Sequence, residues 1–216
     1  MTTTKPRSPS PGRGAGTRER ILAAATEVFA ESGFAGAGVD EIARRAGVNK
    51  AMLYYHVGDK AALFAEVVTT SVGRIRAAVG AAIAGQDRPR DRFRAIPRAF
   101  VTTVREHPYL PQLMLREIAA GGPNLPESAF SEMAEVMRLT ASTLEDGARR
   151  RAFRRVSPVV THLLLVGSLM FMANALRLKD RVANKLPIPP GADDDLESLA
   201  DLMVDIALDG IAAKKS

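Results

Sequence analysis

Apolar residues recur at intervals of three and four along most of the chain, and no stretch shows the strict alternation of a half-buried strand. The pattern predicts an all-α protein. A first helix is expected from Thr17, its cap, with Ile21, Leu22, Ala25, Val28 and Phe29 on one face and Gly33 as its stop. A short second helix, about Val39–Ala46, turns Ile42 and Ala43 inward and Arg44 and Arg45 outward. Gly47 follows as a turn residue. A third helix runs from about Asn49, its cap, to His56. Asp59 then caps a long fourth helix buried through Leu63, Phe64, Val67 and Val68.

The remainder reads as a helical bundle punctuated by Pro89 and Pro108. Leu113, Met114, Leu115 and Ile118 share a helix that stops at Gly121–Gly122. Phe130, Met133, Val136, Met137, Thr140 and Leu144 fall on one face of the next. Ser157 and Pro158 form a cap and first-turn pair for a helix to about Leu178. Its run Leu163–Ala173 is expected to be a buried helix, too short to cross a bilayer. Lys185–Gly191 reads as a loop. Asp193, Asp194 and Asp195 suit a helix N-terminus, and the final helix carries Leu196, Leu199, Leu202, Met203, Ile206 and Leu208.

Composition narrows the chemistry. The chain has 216 residues, no cysteine and a net charge of +6. Disulfides, thiol nucleophiles and cysteine-ligated metals are excluded. The basic balance is compatible with DNA without establishing it. His56, His107 and His162 occur singly, without zinc-site spacing, and phosphate-loop, dinucleotide and nucleophile-elbow motifs are absent. No enzyme activity, catalytic residue, metal or cofactor is expected. Residues 1–16 lack the apolar core of an export signal and read as a disordered basic tail, either solvated or following a phosphate backbone through Lys5, Arg7 and Arg13. A cytoplasmic protein without a membrane partner is expected.

The most informative stretch is Gly33–Lys60, GFAGAGVDEIARRAGVNKAMLYYHVGDK. Two short helices meet at a tight turn on Gly47. Small Ala43 and Ala46 permit close approach, and Val39, Ile42, Ala43, Val48 and Leu53 can share a core with the first helix. The second short helix then presents Lys50, Ala51 and Tyr54 outward, as a helix entering a major groove would. Lys50 suits a guanine edge or a phosphate, and Tyr54, Tyr55 and His56 can donate to phosphate oxygens. Lys60 lies where free backbone N–H groups also attract phosphate. Packing competes with contact for Tyr55 and Val57, and a local hydrogen bond competes for His56.

This stretch closely resembles the signature of the TetR/AcrR family of transcriptional regulators, above all through AGVNKAMLYYHVGDKAAL, with the likeness covering about Arg18–Val68. The resemblance implies that Asn49–His56 is the recognition helix and that Lys50, Ala51, Tyr54, His56 and Lys60 meet DNA, with Tyr55 a looser candidate. It also implies a homodimer on a palindromic double-stranded operator, repressing until a small apolar or amphipathic effector binds. An activator, or a constitutive binder whose C-terminal part only dimerises, is the alternative. Two departures stand out. Ala37 and Gly38 replace the family's usual threonine and serine before the second helix. Met52 replaces a small polar residue, so it meets a thymine methyl or packs inward.

The expected organisation is a tail over 1–16, a helix-turn-helix domain over 17–77, and an effector-binding and dimerisation domain over 78–216. The resemblance assigns dimerisation to the helices at about Ser157–Leu178 and Asp193–Ala212. Both carry more apolar residues than one face needs, although a central helix within a monomer would look similar. Phe100, Val104, Met114, Met133, Met137 and Phe171 are candidates to line an effector pocket, or simply to fill a core. Arg116 is a candidate to orient a polar ligand group, unless it pairs with Glu117. Gly121–Gly122–Pro123 is a portal or only a loop. The run Arg149–Arg155 is expected to be a solvated face or a partner contact.

Overall fold

The computed structural model describes residues 16–178 and 195–213. Residues 1–15 of the expected tail, the Lys185–Gly191 loop, Asp193 and Asp194 lie outside the described residues. The helices are α1 (Thr17–Gly36), α2 (Val39–Ala46), α3 (Lys50–Val57), α4 (Lys60–Ala84), α5 (Pro89–Glu106), α6 (Leu110–Ala119), α7 (Glu127–Arg149), α8 (Pro158–His162), α9 (Ser168–Ala175) and α10 (Leu196–Ile211). The fold is all-α, with an N-terminal helix-turn-helix and a C-terminal helical bundle. The described residues form two compact units. One ends at Ser71 and adds His107–Pro126; the other comprises Val72–Glu106 and the residues from Glu127 onward.

In the first unit, Ile21, Phe29, Ile42, Leu53, Leu63 and Phe64 are fully buried, joined by Leu110, Leu113 and Met114 of α6. The Phe29 and Phe64 rings meet edge to face at 4.9 Å. Helix α1 is capped one residue earlier than expected, at Gly16, whose N–H donates to the Glu19 carboxylate at 3.1 Å. Gly33 breaks the helical path with φ 71°, after which one further turn runs to Gly36. Side chains of α6 reach carbonyls just before the break. Gln112 Nε2 donates to Ala30 O at 2.9 Å and Arg116 donates to Glu31 O at 3.1 Å. These bonds satisfy helix-end acceptors that would otherwise need water.

In the second unit, Phe93, Leu144, Phe153, Leu165, Val204, Leu208 and Ile211 form the core. Three ion pairs join α5 to α10 in antiparallel order: Arg94–Asp205 at 2.6 Å, Arg98–Asp201 at 2.9 Å and Arg105–Glu197 at 3.3 Å. Pro97 lies within α5, where periodicity gives no warning of it. Of the residues expected to share one face of α7, Phe130 is exposed, whereas Val136, Thr140 and Leu144 are buried.

The arginine run is exposed, as expected, and three of its side chains also make contacts within the second unit. Arg149 and Arg150 each reach the Asp146 carboxylate at 3.1 Å, and Arg150 also donates to Asp87 O at 2.9 Å. Arg154 Nε donates to Gly210 O at 2.8 Å, beside an isolated antiparallel bridge between Phe153 and Ala212. The five arginines remain exposed, so the run is a solvated face whose side chains also bond Asp146 within α7, the Asp87 carbonyl before α5 and the Gly210 carbonyl of α10. Ser157 caps α8 as expected, but the helical path to Leu178 contains a π turn at Leu163–Gly167. His162, just before that turn, is half-buried and hydrogen-bonds Thr140 Oγ1 at 3.0 Å; burial lowers its pKa.

The expectation for Leu163–Ala173 is corrected. The whole path Pro158–Leu178 has 21 residues and, like Lys60–Ala84, is long and apolar enough by length and composition to cross a membrane. Within the chain it is buried on one side only: Leu165, Leu169 and Met170 are buried, whereas Val159, Val160, Leu163, Leu164 and Phe171 are exposed. Leu202 and Ile206 of α10 are exposed as well.

Gly147 yields a stability prediction. An added Cβ there would overlap the buried Phe153 ring. Gly→Ala inside a helix ordinarily stabilises by roughly 1 kcal/mol. Gly147→Ala is instead expected to destabilise by about 1–3 kcal/mol through overpacking. Urea unfolding measures this, and Phe153→Ala in the same chain should reverse the sign of the Gly147→Ala effect.

Candidate nucleic-acid interface

The candidate surface is built by α2, the turn at Gly47 and α3. Gly47 adopts φ 67°, ψ 37°, a left-handed conformation that closes α2 without strain only for a residue lacking Cβ. The Asn49 side chain accepts the Met52 N–H at 2.7 Å and so caps α3. Only Leu53 and Val57 of α3 are buried. They lie one turn apart, so they pin one edge of the helix and turn the remainder outward.

The exposed set matches much of the expected one. Lys50, Ala51, Met52, Tyr54 and Tyr55 face solvent, with Tyr55 at 86% exposure. Packing does not hold Tyr55, but Val57 is core. Met52 points outward rather than into the core. His56 is half-buried, with its ring edge-on to Tyr55 at 5.4 Å. Asp59 caps α4 by accepting the Ala62 N–H at 2.8 Å. Lys60 opens α4, but its ammonium reaches back to Ala35 O at 3.3 Å and over the Phe34 ring at 4.9 Å from the centroid.

Electrostatics adds what the apolar pattern could not reveal. Helix α2 has no side-chain cap, because Gly38 occupies that position. Asp40 and Glu41 supply negative charge to its first turn. Glu41 is bound by Arg44 and by Arg45, each with a contact at 2.7 Å, and these hydrogen bonds hold its pKa down to about 2. Arg45 does not face outward as expected. It bridges α2 to α1, meeting Glu31 at 2.8 Å and Glu27 at 3.5 Å, and it is three-quarters shielded. Its hydrogen bonds to Glu31 and Glu41 raise its pKa. Lys50 is not free either: its ammonium lies 3.1 Å from Asp40 Oδ1 and 3.2 Å from Oδ2.

The effector candidates fall in both units. Phe100 and Val104 are buried in α5, and Met133 and Met137 are half-buried on α7, all in the second unit. Phe171, expected to line a cavity, is 68% exposed on the surface. Met114 and Arg116 belong to the first unit, where Met114 is core and Arg116 is exposed and bound to Glu31 O. Glu117 is buried and accepts from Asn124 at 3.3 Å. A groove of about 600 Å³ opens in the second unit along Val160, Leu164, Met203 and Ile206, with Arg154 and Arg155 also in its wall. None of the effector candidates lines it. Among the described residues, no group of three His, Asp or Glu side chains could hold a metal ion.

Fold and surface together define an all-α helix-turn-helix protein. Residues 21–67 match the model for "Bacterial regulatory proteins, tetR family". The chain is 41% identical over 83 residues to the HTH-type transcriptional activator FasR of Mycolicibacterium smegmatis, covering 38% of each chain. It is 46% identical over 52 residues to the transcriptional repressor SCO4008 of Streptomyces coelicolor, covering 24% of this chain and 27% of that one. These alignments span well under two thirds of the relatives' lengths. The fold is shared more widely. The ketosteroid regulator KstR2 of Mycobacterium tuberculosis superimposes with a TM-score of 0.73 at 17% identity, covering 95% of this chain and 100% of that one. FadR of Bacillus subtilis, solved with stearoyl-CoA, gives 0.71 at 16% identity, covering 89% and 98%.

The cap on α3 generates the next prediction. Asn49→Ala removes the acceptor for the Met52 N–H and should destabilise the protein by about 1 kcal/mol. Thermal unfolding reads this directly, and Asn49→Ser, which keeps a capping oxygen, should recover most of the loss.

Proposed function

We propose that this protein is a homodimeric, sequence-specific transcriptional regulator that represses by occupying a palindromic operator and leaves it when a small apolar or amphipathic effector binds. The observation that carries the DNA half is the outward face of α3, with Lys50, Ala51, Met52, Tyr54 and Tyr55 exposed on a helix buried only through Leu53 and Val57. An ammonium, two phenols and apolar surface suit the base edges, methyl groups and phosphates of a major groove. His56 and Lys60 flank this face and contribute phosphate contacts, Lys60 by leaving Ala35 O.

The dimer rests on the second unit. Leu163, Leu164 and Phe171 on one helical path, with Leu202 and Ile206 on α10, expose an apolar face that a second copy would cover. The effector half follows the family pattern, and its chemistry is left as apolar or amphipathic. One observation favours a second reading, activation: FasR, matched over 83 residues, is named as an activator. In either reading the protein works where the chromosome is, in the cytoplasm.

Enrichment from a random duplex library tests the central claim. The expected product is a palindromic site protected symmetrically in footprints; a pool without a common sequence would sink the regulator reading. Transcription from a promoter carrying that site then distinguishes repression from activation, and protection lost with one member of a small-molecule panel identifies an effector. For the dimer, sedimentation at micromolar concentration should give twice the monomer mass. Leu164→Glu with Ile206→Glu should give monomers with unchanged helix content, since both side chains are exposed in the single chain.

A further inference from the structure

We propose that Asp40 is a specificity-determining residue, a positioning carboxylate that biases Lys50 toward a neutral base edge and away from DNA phosphates. This inference rests on the regulator reading above. The observation behind it is the contact between the Lys50 ammonium and both Asp40 oxygens, at 3.1 and 3.2 Å, at the mouth of the candidate interface. Asp40 is the first-turn acid of α2 that Arg44 and Arg45 leave alone, since those two bind Glu41. Its side chain is 79% exposed, so it contributes little to the fold and its charge faces whatever approaches α3.

The selectivity follows from counting donors and charges. A lysine ammonium has three N–H donors and no acceptor. Against a guanine edge, Lys50 can give one N–H to O6 or N7 while Asp40 keeps the others, because the base brings no net charge. Against a phosphate the same sharing places two anions on one ammonium. Lys50 must then either leave Asp40 or hold a phosphate beside a repelling carboxylate. Mixed-sequence binding rests on phosphate contacts, whereas operator binding adds base edges. Asp40 therefore handicaps the first more than the second.

The test uses the full chain, the palindromic duplex enriched by the wild-type protein, and a mixed-sequence duplex of the same length. An exposed ion pair of this kind corresponds to about a two- to fivefold change in binding. Asp40→Asn should therefore tighten mixed-sequence binding about two- to fivefold, with operator affinity changed less, so discrimination falls. The log–log salt dependence on mixed sequence should steepen by about one, as Lys50 becomes free to displace one more counterion. Asp40→Glu should restore wild-type behaviour, and Asp40→Ser provides a second neutral variant should the asparagine fold poorly.

Lys50→Met provides the internal control. In that background Asp40→Asn should have little effect. An equal gain there would mean that the carboxylate acts by its own charge and not through Lys50, overturning the proposal. Unchanged mixed-sequence affinity and salt slope in Asp40→Asn, with a normal operator selected by the wild type, would overturn it while leaving the regulator reading intact. A wild-type chain that selects no operator would bring down both.

Discussion

Two buried side chains one helical turn apart, Leu53 and Val57, are the attachment on which the candidate interface depends. An eight-residue helix has no stability of its own in water, because the cost of nucleating it is spread over too few hydrogen bonds. It exists because the Asn49 cap closes its first turn and because Leu53, with no exposed surface, is buried in the same unit as Phe29 and Ile42. Fixing two points at i and i+4 leaves the helix no freedom to rotate about its axis. Lys50, Met52, Tyr54 and Tyr55 then face outward as a consequence of packing, without a stabilising contact holding each one there. The chemistry of the surface is thus free to vary while its direction is not.

Charge supplies the second layer of order. The junction of α1 and α2 is closed by Arg45 set among Glu27, Glu31 and Glu41. A guanidinium suits this position because its fixed fork of donors can meet several carboxylates at once, which a lysine could not do with the same geometry. Recruiting Glu41 to that junction has a consequence at the other end of the helix-turn-helix. It leaves Asp40 as the acid available to Lys50. One acidic dipeptide, Asp40–Glu41, is thereby divided between holding two helices together and setting the state of the lysine that leads α3.

What the sequence discloses, and what it withholds, divides along physical lines. Side chains that act on their own turn were legible: Asn49, Asp59, Ser157 and Asp195 all cap as their position suggests, because a cap needs only the next three residues. Gly47 was legible for the same reason. Long basic side chains were not. Arg45 and Arg116 reach partners on other helices, and the partner is chosen by packing that local periodicity does not encode. The arginine run is exposed as its composition suggests, but its bonds to Asp146 and Gly210 gave no local sign. The effector candidates show a further limit. Periodicity put Met114 and Phe171 on apolar faces, yet it could not say that one face belongs to a core and the other to the surface. Met52 likewise had two readings from its type alone, and only the azimuth imposed by Leu53 and Val57 separates them.

The exposed apolar path from Pro158 to Leu178 raises the question of what covers it, since length and composition alone would also suit a bilayer. The neighbouring helix favours protein over lipid. On α10, the exposed Leu202 and Ile206 adjoin Asp201 and Asp205, which pair with Arg98 and Arg94 of α5. Hydrocarbon beside these half-exposed charges would pay their desolvation, whereas a protein partner can cover the apolar stripe and leave the charges wet at its edge. An apolar centre with a charged rim is the distribution that interfaces between chains adopt. The π turn at Leu163–Gly167 fits the same account. It advances the helical register just after His162 engages Thr140, so one edge of the path satisfies a polar contact within the unit while Leu163 and Leu164 remain outside it.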